Sequence, residues 1–240
     1  MYPITYIPLP YWNERPKKTR IKSVVLHCST HEAVPMIKLL RQLHLSSHYV
    51  IGTDGRIFQL VPEEKRAFHA GISRWRDMEN LNHYSIGIEL SASKMGQTAY
   101  PETQIRSAIR LCRDLMRRYD IPASNVVAHS DVAPTRKPDP GIMFPWQRFA
   151  DCGIGLWYDI HDADKLDENN TAALLRQIGY DTRNLAAASY AFCRHFLPQL
   201  VASEDDINKL IAQVYPQDFV LPDECLPVLK ACAYAFMKRY

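Results

Sequence analysis

The sequence predicts an α/β protein: a mixed central sheet of about five or six strands flanked by helices, followed by a small all-helical C-terminal region. Three observations carry that reading. Short β-branched runs recur at residues 21–26, 85–90 and 126–128. Helical patterns lie between them, without a strict strand–helix–strand repeat. From about Asp159 the composition turns polar and acidic, and only helical periodicity follows.

Residues 1–20 are Pro-rich and then basic. They read as an extended arm that packs over the domain through Tyr2, Tyr6, Tyr11 and Trp12. Residues 34–45 carry Met36, Leu39, Leu40 and Leu43 at helical spacing, with Pro35 near the start. Residues 48–62 read as a hairpin turning at Asp54-Gly55. Residues 67–75 are a loop, and the strand at 85–90 contains Gly87, which permits a close backbone approach. The clearest helix covers 103–119, with Ile105, Ile109, Cys112, Leu115 and Met116 on one face. Its other face carries Arg106, Arg110, Arg113 and Arg117, a solvated row. A short helix near 144–149 closes the first domain.

Five further segments follow. Residues 159–170 read as a linker. Helices are expected at 172–178, 186–196 and 205–214, the last opened by Ser203 with Asp206 three residues on, as in a capping box. A further amphipathic helix covers 224–240. The expected domains are therefore 1–158, with its arm at 1–20, and a helical region at 171–240 beyond the linker.

Composition narrows the classes of function. The 240 residues are 47% hydrophobic and 23% charged, ordinary for a globular chain. A net charge of +3 is too small to argue for a nucleic-acid partner. The six cysteines form no CxxC pair, so they read as buried free thiols rather than a metal site. No run reaches the length of a transmembrane helix. The N-terminus has no basic leader before an apolar core, so the expected compartment is the cytoplasm; with a leader removed, it is the periplasm or cell envelope.

Two strands end in histidine. Residues 23–26 lead into His27, and 125–128 lead into His129. Pro134, Pro138 and Pro140 then stiffen the segment HSDVAPTRKPDPG (129–141), which reads as a rigid loop and not a helix. With Asp139 on that loop, a His/His/Asp set becomes available. Catalytic zinc sites take three protein ligands and leave a fourth position open. Glu89 sits on an apolar strand, where a carboxylate is costly unless paired or functional.

Four blocks carry a family resemblance: VLHCS (25–29), SHYVIGTDG (47–55), FHAGISRW (68–75) with SIGIEL (85–90), and 129–141. In this order they resemble the zinc-dependent N-acetylmuramoyl-L-alanine amidases, the type 2 family related to peptidoglycan-recognition proteins. The resemblance covers roughly residues 20–150. It implies one zinc per chain at His27, His129 and Asp139, a catalytic Glu89, and Lys137 facing the transition state, with Arg136 as the neighbouring alternative. His69, Arg74, Trp75 and Asn82 are expected to line the cleft. Some relatives carry a tyrosine just before the position of His48; here it is Ser47, which points to the glutamate-dependent branch.

The implied reaction is hydrolysis of the amide between N-acetylmuramic acid, including its 1,6-anhydro form, and L-alanine. The partners are peptidoglycan or muropeptide fragments. The alternative is a non-catalytic binder of the same ligands on the same fold. Residues 171–216 resemble the small three-helix peptidoglycan-binding module; a plain helical cap on the first domain is the other reading.

Overall fold

The computed structural model describes residues 3–92, 98–201, 210 and 212–238. Among these residues the chain runs β1 (Ile4–Tyr6), β2 (Trp12–Glu14), β3 (Ser23–Ser29), α1 (Ala33–Gln42), β4 (Tyr49–Ile51) and β5 (Ile57–Gln59). There follow β6 (Lys65–Ala67), β7 (Arg74–Trp75), β8 (Met78–Glu79), β9 (Ser85–Ser91), α2 (Glu102–Tyr119), β10 (Val126–Ala128) and α3 (His129–Val132). The remainder is α4 (Trp146–Asp151), α5 (Thr171–Ile178), α6 (Leu185–Phe196) and α7 (Leu226–Lys238), with 3-10 turns between.

The main sheet has six strands in the order β1-β5-β4-β9-β3-β10. Only β4 and β5 pair antiparallel; the other neighbours are parallel. This is the mixed sheet the sequence predicts. The central strands β3 and β9 are apolar on both faces, as parallel strands covered from both sides must be.

Alternation along β3 assigns the faces. Val24 and Leu26 join Ile86, Ile88, Ile105, Leu115 and Phe149 in a core beneath α2. Val25 points the other way, into a core with Val127 and Trp75 that continues without interruption into Leu174, Phe192 and Phe236 of the C-terminal helices. His27 has the parity of Val25, so it emerges on that second face.

Three expectations are revised. The arm is not a simple strap held by aromatic rings: it contributes β1 to the main sheet and β2 to a ribbon with β6. Of the four rings expected to hold it, Tyr2 lies outside the described residues and Tyr6 is exposed, while Tyr11 meets His44 at 4.8 Å and Trp12 lies under the Lys65 ammonium; Leu9 and Arg15 are the further anchors. The Arg15 guanidinium donates to the carbonyls of Glu63, Asn82, His83 and Ser85. The segment after His129 is not loop from its start, since α3 forms one helical turn before Pro134. Asp131 accepts the Ala128 N–H at that helix start, supplying a cap that outweighs the approaching prolines. Within the 159–170 linker, residues 160–165 form a 3-10 helix that packs on α7.

The Ser203–Asp206 cap and most of the helix expected at 205–214 lie outside the described residues. All six cysteines are free. Among the described residues no helix is long and apolar enough to cross a membrane.

Candidate active site

β3, β9 and β10 lie side by side and parallel, so their C-terminal ends open on one edge of the sheet. His27 leaves β3 there, His129 begins at the end of β10, and Glu89 sits directly across from His27 on β9. The loop after α3 folds back to bring Asp139 in, held where the Ser130 N–H donates to the Asp139 carbonyl at 2.9 Å. The Nδ1 atoms of His27 and His129 stand 2.9 Å apart. Asp139 Oδ2 lies 3.0 Å from His129 Nδ1 and 3.3 Å from His27 Nδ1. All three residues are buried.

The hydrogen-bond network fixes which ring atoms carry protons. The Ser85 hydroxyl donates to the Leu81 carbonyl at 2.5 Å, so its oxygen is left to accept from His69 Nε2–H at 3.2 Å. His69 Nδ1 then holds a lone pair and accepts from His27 Nε2–H at 2.9 Å. His129 Nε2–H donates to the Ala70 carbonyl at 3.2 Å. Both Nδ1 atoms are thereby bare. Two lone pairs and a carboxylate oxygen face one another with no hydrogen left to place among them.

That donor set fits a cation. Ligands about 2.0–2.2 Å from a tetrahedral zinc are about 3.3 Å from each other, close to the separations seen here. Among the described residues, this is the one His/Cys/Asp/Glu group with the proximity a metal ion needs. Charge agrees. Burial pushes the His27 imidazole down to about 4, and the neighbouring His129 adds to that, so the ring is neutral at pH 7. Burial alone would raise the Asp139 carboxyl, but the His129 and His27 contacts outweigh it and hold the group well below the usual carboxylate range.

Glu89 behaves oppositely. Burial, then the Asp139 charge, raises its carboxyl to about 8, while Lys137 pulls it back. Lys137 itself is half-buried, and its charge is felt at both Glu89 and His27. Arg136, the alternative donor, is committed to the Ala70 and Ile72 carbonyls. Ser47, where some relatives have tyrosine, is buried and donates to the Gly87 carbonyl, a structural duty.

The expected cleft residues divide. Arg74 and Asn82 line a groove of about 780 Å³ with Gly71, Ala133, Arg136 and Arg183. The groove stops short of the His27, His129 and Asp139 cluster but adjoins it through Ala70 and Arg136. Asn82 is also a support, its Oδ1 accepting the backbone N–H groups of His69 and Ala70. His69 is engaged at both ring nitrogens and serves to orient His27. Trp75 does not line the cleft at all. It is 1% exposed, its indole N–H donates to the Ser124 carbonyl, and its ring meets Tyr180 and Phe236 from the C-terminal helices. The covering helices, remote in sequence, are what turn an expected cleft residue into core.

Two further residues act here. His48 is fully buried; its Nδ1 accepts the Gly87 N–H and its Nε2 meets the Lys65 carbonyl. The close approach that Gly87 permits is made by His69: a Cβ at Gly87 would sit 2.5 Å from that ring. Gly87→Ala is therefore expected to displace His69 and release His27. The variant should lose about 1–3 kcal/mol of stability by overpacking and bind metal about 10- to 100-fold more weakly. Urea unfolding and chelator competition measure the two effects, and unchanged metal affinity would refute the orienting role of His69.

A buried His/His/Asp set able to hold a metal ion, at the mouth of a mixed α/β sheet, is what this fold and donor set define. The sequence matches the N-acetylmuramoyl-L-alanine amidase family over residues 17–142, and the chain belongs to that family. Escherichia coli (strain K12) AmiD, an N-acetylmuramoyl-L-alanine amidase, is 36% identical, with 83% of this chain and 85% of AmiD aligned. The solved complex of E. coli AmiD with anhydro-N-acetylmuramic acid-L-Ala-D-γ-Glu-L-Lys superposes with a TM-score of 0.73 at 32% identity, over 95% of this chain and 93% of the other. Pseudomonas aeruginosa AmpDh3 in complex with an anhydromuramic pentapeptide gives 0.72 at 31% identity, over 90% and 92%.

Proposed function

We propose that this protein hydrolyses the amide between the lactyl group of N-acetylmuramic acid and L-alanine, in peptidoglycan or muropeptides, with one zinc held by His27, His129 and Asp139. The observation that carries the reading is the proton-free triangle of two Nδ1 atoms and Asp139 Oδ2, with Glu89 on the adjoining strand. Both solved relatives hold anhydromuramyl peptides, which supports the 1,6-anhydro form among the substrates.

Zinc bound there supplies Lewis acidity at the scissile carbonyl and lowers the pKa of water. The other roles fall to side chains. Glu89, across from His27, takes the proton of the attacking water and returns it to the departing L-alanine nitrogen. The Lys137 ammonium faces the carbonyl oxygen as it gains charge. His69 and the Ala70 carbonyl hold the two imidazoles in the tautomers that ligation needs. The groove beside the cluster, with Arg74, Asn82 and Arg183, takes the peptide or sugar flanking the bond. A complete set of ligands, base and cation favours catalysis over binding alone.

Mass spectrometry of purified muropeptides tests this. The intact protein is expected to release stem peptide with a free L-alanine amine. A chelated sample and Asp139→Ala are each expected to fall at least about 100-fold, the order set by losing the metal's part in the reaction. Binding of muropeptide without release, by zinc-loaded protein, would favour the non-catalytic reading.

A further inference from the structure

Two residues beyond His129, Asp131 is completely buried. A carboxylate so placed is tolerated only when its oxygens are fully engaged. Its Oδ2 accepts the Ala128 N–H at 2.8 Å, which ties it to the residue immediately before His129. The same oxygen meets His195 Nδ1 at 2.8 Å, and Oδ1 accepts the Tyr180 hydroxyl at 2.7 Å. Tyr180 follows α5 and His195 lies near the end of α6, so two of these three partners come from the C-terminal helical region.

Those partners are themselves fixed. His195 stacks on Trp146 at 4.0 Å and on Phe196 at 4.1 Å, with interplanar angles of 21° and 14°. Tyr180 meets the edge of Trp75 at 5.2 Å. The apolar surroundings are continuous, since Val127 and Val132, on either side of His129, share one core with Leu174, Ala191 and Phe192. Few freedoms remain for the backbone at residues 128–131.

We propose that Tyr180 and His195 are positioning residues for the metal centre, acting through Asp131 on His129. The C-terminal helical region is then a built part of the metal site, whatever else it binds. Metal sites need ligands held within about 0.5 Å of their working geometry, and this strut supplies that constraint from outside the amidase motifs. The inference rests on the reading of His129 as a ligand.

The test is zinc affinity by chelator competition on the full chain, for the wild type, Tyr180→Phe, His195→Leu and His195→Asn. Urea unfolding is measured alongside, and the visible spectrum of the cobalt-substituted protein reports ligand geometry. Tyr180→Phe removes one oxygen and keeps the ring, so it guards against simple misfolding. Expected are about 10-fold or larger losses of affinity, by the scale of outer-shell changes, in Tyr180→Phe and His195→Leu, with altered cobalt spectra. His195→Asn, whose amide can replace the Nδ1–H donor, should recover most of the affinity. Folded variants that are less stable yet bind zinc like wild type, with the wild-type cobalt spectrum, would overturn the proposal. A wild type that binds no zinc would instead overturn the metal reading itself, and the strut with it.

Discussion

Glu89→Gln is expected to lower amide hydrolysis by about 100- to 10,000-fold, the range for removing a general acid–base, with zinc content unchanged. The substitution keeps shape and hydrogen-bonding capacity but cannot accept a proton. Glu89 is placed for that task because β3 and β9 pair in register, His27 opposite Glu89, so both side chains leave the same face of the sheet. Burial and Asp139 hold its carboxyl near 8. A divalent cation beside it lowers that value, toward the operating range of a base at neutral pH. Glu89 is not among the three residues proposed to hold the metal, so metal should stay. Metal analysis and turnover of one muropeptide check both halves; near-wild-type turnover in a zinc-loaded variant would remove Glu89 from the mechanism.

Acid should destabilise the chelated protein well above the range where carboxylates titrate. Burial, then the charge of Arg15, pushes His48 down to about 3 from 6.5. His27 lies at about 4, and His69 is also held well below its ordinary value by burial and its neighbouring imidazoles. For each, the folded pKa is below the unfolded one, so the unfolded chain binds more protons between them. The contribution is complete above about pH 6.5 and is lost as pH falls toward the folded value, at about 1.4 kcal/mol per pH unit. By pH 5 His48 and His27 each remove about 2 kcal/mol, and His69 acts in the same direction; Glu89, whose carboxyl is raised to about 8, opposes them, because there the folded chain binds the extra proton. The net loss is a sizeable fraction of the stability of an ordinary domain, about 5–15 kcal/mol. Urea unfolding from pH 7 to 5 measures the slope. His48→Gln should flatten it by about 1.4 kcal/mol per unit; an unaltered slope would show that His48 titrates normally in the fold.

The strands carrying the site were legible because their signals are local. β10 is a three-residue apolar run followed directly by His129, and β3 a longer one that carries His27 two residues before its end. Asp139 could be named because the prolines around it mark a rigid segment. Support from distant residues was not legible. The chain from Ser85 through His69 to His27 joins positions 16 and 42 residues apart, and no periodicity records it. Gly87 announced a close approach but not its occupant. Trp75 sits in a motif typical of a cleft, and only the helices beyond residue 170 bury it. The arm read as extended because prolines and β-strands share backbone preferences; its pairing with β5 depends on tertiary context.

That pairing has a consequence for colloidal behaviour. Without β1, the outer side of β5 would present unpaired N–H and carbonyl groups to other chains, an invitation to edge-to-edge aggregation. β1 moves the open edge onto a strand of three residues, with Pro3 just before it and Pro8 and Pro10 soon after. Proline cannot donate to a further strand, so the new edge ends almost where it begins. At the opposite side, β10 is equally short and the chain turns at once into α3. The prolines of the extended arm thus act as a stop at this edge of the six-stranded sheet.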